Sequence, residues 1–391
     1  MKVQGDLTLF IKTLPGLEKI LSREIKKLGG RNVVEVKRGA EATGDLGFVY
    51  KANLWLRTAL RILVQLKRFQ VRDEDHLYKV INKIPWEEYF DVNKTIAVDA
   101  TVFSDRFKNS LYIAQLTKDA IVDRFRDQTG KRPSVQLREP EIRIDIHIQR
   151  HFCTVSLDSS GDSLHKRKYR NEVDTAPLSE VLAAGILSLM EFDGSENLID
   201  PMCGSGTFLI EGALKAANIP PNVFRDYYAF KNWNNYDQEL YDLIFTKSLE
   251  KEENTEVKFF GFDIDPLVVA KAKRNSKQAL MDEVIKIQKA DFTNWNKGDH
   301  IPDKGVLIMN PPYDIKMEAN IPELYREIGN TLKRHFSGYT AWIFTGSEEG
   351  VKSIGLKASK KYLLKNGSLD AWLLRYDLYD GTKKEHKIES H

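Results

Sequence analysis

The sequence predicts a modular protein in which a compact α+β half precedes an α/β half built on a doubly wound, mostly parallel sheet. Three observations lead there. The chain has 391 residues, more than one hydrophobic core usually serves. After Ser159-Ser160-Gly161-Asp162 the composition changes, and short apolar strands begin to alternate with helices, the rhythm of parallel strands joined by crossovers. The chain then ends on a hairpin signal: Lys361 to Leu364, the turn Asn366-Gly367, and Leu369 to Tyr376.

In the first half, Leu7 to Ile11 is strand-like. Pro15 then starts a helix whose Leu17, Ile20, Leu21, Ile25 and Leu28 recur at helical spacing until Gly29-Gly30 stops it. Apolar Val33 to Val36 and Gly47 to Tyr50, a helix over Leu54 to Ile62 and a strand over Leu63 to Phe69 extend this start. A second unit follows without a long linker: helix His76 to Ile84, strand Thr95 to Thr101, helix Ser110 to Gln128. It closes with alternating Ile142, Ile144, Ile146 and Ile148, then Phe152, Val155 and Leu157, a hairpin with one buried face.

In the second half come helix Leu178 to Met190, strand Asn197 to Asp200, helix Phe208 to Ala217, strand Val257 to Phe262 and helix Pro266 to Leu280. Strands Ile285 to Gln288 and Val306 to Met309, helix Ile321 to Phe336 and strand Tyr339 to Phe344 complete the alternation. An insertion between Lys215 and Glu256 is rich in aromatic residues, among them Tyr228, Phe230, Trp233 and Tyr236. The polar tail from Gly381 to His391 is expected to be disordered.

Formal net charge is only +3 and 42% of residues are hydrophobic, which excludes a basic tail as the main device for holding nucleic acid. Any polyanion must be met by local patches. Cys153 and Cys203 are the only cysteines, so no disulfide framework or cysteine zinc site is available, and a cytoplasmic location fits. No signal peptide is visible, and no apolar run reaches the roughly 18 to 20 residues of a membrane span. The eight histidines are scattered without metal-ligand spacing.

Two motifs carry chemistry. Asp200-Pro201-Met202-Cys203-Gly204-Ser205-Gly206-Thr207 reads as a strand end, a Gly-rich turn and a helix N-terminus, which suits an anionic or carboxylate-bearing ligand. Asn310-Pro311-Pro312-Tyr313 offers a side-chain amide, backbone carbonyls and an aromatic face, a set that can grip a planar base bearing an exocyclic amine. Either alone could be ordinary turn chemistry; in this order, each behind an apolar strand, they read as one site. Just before the second half, His165-Lys166-Arg167-Lys168-Tyr169-Arg170 mixes cations with an aromatic, either a solvated face or a contact for RNA phosphate. Arg124, Arg126, Lys131 and Arg132 are weaker candidates for the same role.

The two motifs together resemble the S-adenosylmethionine-dependent amino-methyltransferases. Leu14-Pro15-Gly16-Leu17-Glu18, Leu137-Arg138-Glu139-Pro140-Glu141, Leu164 to Arg170 and Ala176-Pro177-Leu178-Ser179-Glu180 extend the likeness over nearly the whole chain. It is similar to the bacterial THUMP-domain RNA guanine-N2 methyltransferases of the large-subunit ribosomal RNA kind. The resemblance implies a ferredoxin-like segment at 1–43, completed by part of the following region, a THUMP RNA-binding domain at 44–157, and a Rossmann-like class I methyltransferase domain at 163–384. A terminal antiparallel hairpin distinguishes that sheet from the dinucleotide-binding one. S-adenosyl-L-methionine is the implied cofactor, without a metal, and the implied partner is RNA, either large-subunit ribosomal RNA or a ribosome assembly intermediate.

On that reading Asp200 meets the donor's ammonium, and the turn through Cys203, Gly204, Ser205, Gly206 and Thr207 receives its carboxylate on backbone amides. Asp263 accepts the ribose hydroxyls, with Asp265 the neighbouring alternative. The gap of 57 residues from Gly206 (263 − 206) exceeds the roughly 20 of dinucleotide folds because of the insertion. Asp291 matches the family position that reaches the adenine amino group, with Phe292 packing beside it; a helix cap is its alternative. Asn310 and the Pro311 carbonyl accept hydrogens of the acceptor amine, Pro311 and Pro312 stiffen the loop, and Tyr313 stacks on a flipped base. His165, Lys166, Arg167, Lys168 and Arg170 are expected to hold RNA. Two other readings stay open: an adenine-N6 methyltransferase acting on RNA or DNA, and a non-catalytic RNA-binding factor.

Overall fold

The computed structural model describes residues 5–170, 178–295, 301–312 and 321–379. The chain divides into two compact units, one of Met1–Lys166 with Arg225–Lys247 and the other of Arg167–Phe224 with Ser248–His391.

The first unit contains β1 (Leu7–Lys12), α1 (Glu18–Leu28), β2 (Arg31–Val36), β3 (Gly39–Gly44), α2 (Leu46–Trp55), β4 (Arg61–Gln70), α3 (Glu74–Asn82), β5 (Ile96–Phe103), α4 (Ser110–Thr129), β6 (Ile142–Gln149) and β7 (Phe152–Asp158). Its strands form one seven-stranded sheet in the order β2-β3-β1-β4-β7-β6-β5. β4 pairs antiparallel with β1 from Leu9↔Val64 to Lys12↔Arg61, and with β7 from Leu63↔Asp158 to Gln70↔Phe152. β4 therefore joins the first segment to the strands that follow, with a register shift between Gln65 and Lys67. The alternation of β6 buries Ile142, Ile144, Ile146 and Ile148 with Leu9, Ile11, Val64 and Val155, against Leu21 and Ile25 of α1, Leu77 of α3 and Ile121 of α4. One sequence expectation shifts. Gly47 to Tyr50 lies inside α2, which Asp45 caps by accepting from the Phe48 N–H at 2.7 Å, and that helix ends at Trp55 instead of spanning Leu54 to Ile62.

The second unit contains α5 (Glu180–Leu189), β8 (Leu198–Asp200), α6 (Thr207–Ala216), the end of α7 (Gln238–Leu249), β9 (Phe259–Asp263), α8 (Pro266–Gln278), β10 (Ile285–Lys289), β11 (Val306–Met309), α9 (Ile321–His335), β12 (Thr340–Thr345), α10 (Glu348–Ser353), β13 (Lys360–Asn366) and β14 (Leu369–Asp377). The sheet order is β10-β9-β8-β11-β12-β14-β13. Strands β8 to β12 pair parallel, while β14 runs antiparallel to both β12 and β13. Gly367, at φ 63°, takes the first central position of the two-residue loop between Asn366 and Leu369, where a right-twisted hairpin needs a left-handed residue. The doubly wound sheet with its antiparallel end is the expected one.

The aromatic insertion packs in the first unit. Tyr228, Phe230, Trp233, Tyr241 and Ile244 join the core around Tyr50, whose ring centroid lies 4.6 Å from that of Phe230 and 5.8 Å from that of Tyr241. The Tyr50 hydroxyl accepts from the Asp237 N–H at 3.0 Å. Arg225 donates to the carbonyls of Ser160, Asp162, Ser163 and Lys166 at 2.8–3.2 Å. Residues 225–247 thus interrupt the C-terminal domain expected at 163–384, because their apolar rings complete the other core.

Candidate functional site

Strand order in the second sheet reverses beside β8: β9 and β10 lie on one side, β11 and β12 on the other. In open α/β sheets, ligands bind beyond the carboxyl ends of the strands at such a reversal. Asp263 ends β9, Asp200 ends β8, Asn310 directly follows β11, and Asp291 stands two residues beyond β10. Four residues far apart in sequence therefore line up across adjacent strand ends, in the order Asp291, Asp263, Asp200, Asn310.

Asp200 is 1% exposed and accepts from the Met202 N–H at 3.2 Å. Burial pushes its carboxyl well above the ordinary range; the Met202 hydrogen bond opposes this, and the nearby Asp263 charge adds to it. An acid in this state favours a cationic neighbour, which would restore its charged form.

The turn after β8 is anchored by Cys203, whose N–H donates to the Phe262 carbonyl at 2.8 Å. Gly204 and Gly206 adopt φ of 52° and 81°, the left-handed region. A Cβ on Gly204 would meet nothing within 4 Å, so the backbone there faces open space. Gly204 donates its N–H to Asp263 at 3.1 Å, and Gly206 donates to the Cys203 carbonyl at 2.8 Å. Among the described residues no acceptor engages the amides of Ser205 and Thr207, which can receive a carboxylate. Sequence reading missed Gly261 in β9, where a Cβ would come within 2.5 Å of Leu209 and 3.2 Å of the Cys203 Sγ. A glycine inside an apolar strand was the available signal.

Asp263 accepts from Gly204 with one oxygen and from the Asp265 N–H with the other, both at 3.1 Å. A carboxylate offers about four acceptor sites, so two remain for hydroxyls. Asp265 caps α8 by accepting from the Leu267 N–H at 2.8 Å, which gives the alternative residue a structural task. Asp291 caps a short turn, accepting from the Thr293 N–H, the Thr293 hydroxyl and the Asn294 amide at 2.7–2.9 Å. Burial opposes its charge, but these hydrogen bonds prevail and hold the carboxyl below its ordinary range. Phe292, next to Asp291 in sequence, is buried in the core, 5.6 Å between centroids from both Trp295 and Phe336.

The Asn310 Oδ1 is buried and finds no hydrogen-bond donor among the described residues. Such an atom costs about 1–3 kcal/mol unless a partner satisfies it. Pro311 is buried and Pro312 exposed, while Tyr313 lies outside the described residues.

The cationic run 165–170 divides. Arg167 is fully buried, donating to Glu211 at 3.4 Å and Asn222 at 2.8 Å, and the Tyr169 hydroxyl also reaches Glu211 at 3.0 Å. Arg170 pairs with Glu180 and donates to the Thr207 hydroxyl at 3.2 Å, so it steadies the Gly-rich turn. Buried acids turn both arginines inward, Arg167 completely and Arg170 with 12% of its side chain still exposed. His165 meets the Ser163 hydroxyl at 2.9 Å, and Lys166, paired with Asp162, and Lys168 are exposed. No described helix is long and apolar enough to cross a membrane, and the described residues hold no metal-binding cluster of His, Cys, Asp or Glu.

Residues 167–375, more than half the chain, match the family described as RMKL-like, methyltransferase domain. The chain belongs to this family. The residues ahead of the RMKL-like domain match the RlmL ferredoxin-like domain at 8–63 and the THUMP domain at 71–158. Between those two matches lies most of β4, the strand that pairs with β1 of the first match and β7 of the second. The protein of Synechocystis sp. named "Putative RNA methyltransferase slr0064" is 36% identical over 373 residues, covering 95% of this chain and 96% of that one. "Ribosomal RNA large subunit methyltransferase K/L" of Syntrophotalea carbinolica is 37% identical over 383 residues, 94% of this chain and 53% of the relative. The chain thus spans about half the length of the K/L relatives that it matches. The crystal structure of SMU.472 complexed with SAH covers 97% of this chain and all of its own, at 28% identity and a TM-score of 0.85.

Proposed function

We propose that this protein uses S-adenosyl-L-methionine to methylate the exocyclic N2 amine of a guanine in RNA, namely large-subunit ribosomal RNA in the cytoplasm. The buried Asn310 Oδ1, which has no donor among the described residues and stands at the end of β11 next to the sheet's reversal, carries this reading. It suits an amine N–H. The K/L relatives' name and the THUMP match support the ribosomal RNA substrate. SAH, held by SMU.472, is the demethylated form of the donor.

The residues present fit that donor. Asp200 would take its ammonium, the Ser205 and Thr207 amides its carboxylate, the open acceptor sites of Asp263 its ribose hydroxyls, and Asp291 its adenine amino group. Bound there, S-adenosylmethionine supplies a methyl group already activated on a sulfonium. Asn310 and the Pro311 carbonyl would accept the two hydrogens of the guanine amine and draw its lone pair out of conjugation with the ring. Little general-base strength is then required, and orientation supplies most of the rate.

Methyl-labelled donor, incubated with the full chain and separate pools of ribosomal RNA, transfer RNA and DNA, should yield N2-methylguanosine from ribosomal RNA after digestion to nucleosides. Asn310→Ala should slow single-turnover transfer about a hundredfold or more while sparing donor affinity. Labelled N6-methyladenosine would sink the guanine assignment, and no labelled nucleoside from any pool would sink the enzyme.

A further inference from the structure

Gln149 pairs with Phe152 across the β6–β7 ladder, so Arg150 and His151 form a two-residue hairpin loop. Such loops favour Gly, Asn or Asp because the turn demands positive φ. Here Arg150 adopts φ 55°, and both loop residues are exposed. A bulky side chain held in the left-handed region stores strain, which persists mainly where function requires the residue.

The neighbourhood of this loop combines arginines with aromatic rings, and acids stand among them: Asp73, Glu74 and Asp75 follow Arg72, and Asp105 precedes Arg106. Arg68 on β4 holds its guanidinium 5.3 Å over the Phe152 ring, and the His151 ring lies 4.6 Å from Phe152. The Val71 N–H donates to the His151 carbonyl at 2.8 Å, which brings Arg72 alongside, and Arg106 donates to the Arg72 carbonyl. The Arg150 N–H donates to the Phe103 carbonyl at 2.7 Å, and the Ser104 hydroxyl to the Arg150 carbonyl at 2.6 Å. Phe103 is 64% exposed. Elsewhere on this sheet Lys12, Arg61 and Arg143 are answered by Asp145, Asp158 and Asp99. No ion pair among the described residues engages Arg68, Arg72, Arg106 or Arg150. Single exposed arginines are ordinary solubilising residues; four of them beside the rings of Phe103, His151 and Phe152 at one strained loop suit a polyanion with flat faces.

We propose that this end of the first unit's sheet contacts an unpaired stretch of the RNA substrate, with phosphates on Arg72, Arg106 and Arg150 and bases on Phe103 and on the Arg68 guanidinium above Phe152. The assignment rests on the RNA reading given above. An unpaired stretch is chosen because a duplex hides the base faces that exposed rings would stack on.

The test measures binding of the full chain to a short unstructured RNA and to an RNA duplex, over a range of salt. Glycine suits the loop geometry, so Arg150→Gly should melt no lower than the wild type. It should nonetheless bind the unstructured RNA about three- to tenfold more weakly, with a salt slope shallower by about 0.7. Arg72→Ala should behave alike, whereas Phe103→Ala should weaken binding without changing the slope. Wild-type binding that Arg150→Gly and Arg72→Ala leave untouched overturns this surface alone, and equal losses on the duplex overturn the choice of an unpaired stretch. A wild type that binds no RNA overturns the RNA reading together with this one.

Discussion

A carboxyl group as buried as Asp200 works against folding whenever it must ionise. Its pKa in the folded chain stands above the unfolded value of 3.8. Between the two values the folded state keeps a proton that the unfolded state has lost, so stability falls as pH rises through that window and stays reduced above it. Asp200→Asn removes the penalty. The variant should melt about 2 °C or more higher at neutral pH. Its affinity for S-adenosylmethionine, measured by calorimetry, should fall at least about tenfold because the donor's ammonium loses a charged partner. A variant that melts lower, or binds the donor as tightly as before, would remove Asp200 from the proposed role. Burial above all, then the neighbouring carboxyls of Asp200 and Asp263, push the Cys203 thiol well above the ordinary range, which disfavours a reactive thiolate. Its task is packing against β9.

At the scale of elements, Gly261 decides how closely α6 and the Gly-rich turn approach β9. Gly261→Ala would drive a methyl group into Leu209 of α6 and toward Cys203. Overpacking of this kind costs about 1–3 kcal/mol, so thermal melts should register a clear loss. Donor affinity should fall with it, since Cys203 is hydrogen-bonded to the neighbouring Phe262. A variant of unchanged melting temperature and donor affinity would show that α6 shifts freely. The strand ends that carry Asp200, Asp263 and Asn310 were legible because each closes an apolar run. α2 was not, since Leu46 to Leu56 is apolar in a way that suits strand or helix and only the Asp45 cap decides. β3 lacked a β-branched run to announce it. The inward turn of Arg167 was hidden for another reason: Glu211 and Asn222, which hold it, stand 44 and 55 residues away.

At the scale of the whole molecule, the first unit is discontinuous in sequence. Tyr50 lies among Phe230, Tyr236 and Tyr241, and Arg225 ties down the carbonyls of residues 160–166. A fragment of Met1–Lys166 alone should therefore melt at lower temperature and aggregate more than the same fragment with Arg225–Lys247 joined through a flexible linker. Calorimetry and light scattering would compare the two. Equal melting would mean that the aromatic segment only covers a core already stable without it.

The same discontinuity gives the protein a birth order. Lys247 leaves the ribosome 81 residues after Lys166 (247 − 166). At about 5–20 residues per second, the sheet proposed to contact RNA waits roughly 4 to 16 s for its last aromatic rings. During that wait β8 and α6, with the Gly-rich turn between them, have already been made, and the apolar face around Tyr50 is open to chaperones. The nascent chain thus begins its second unit before it can finish its first.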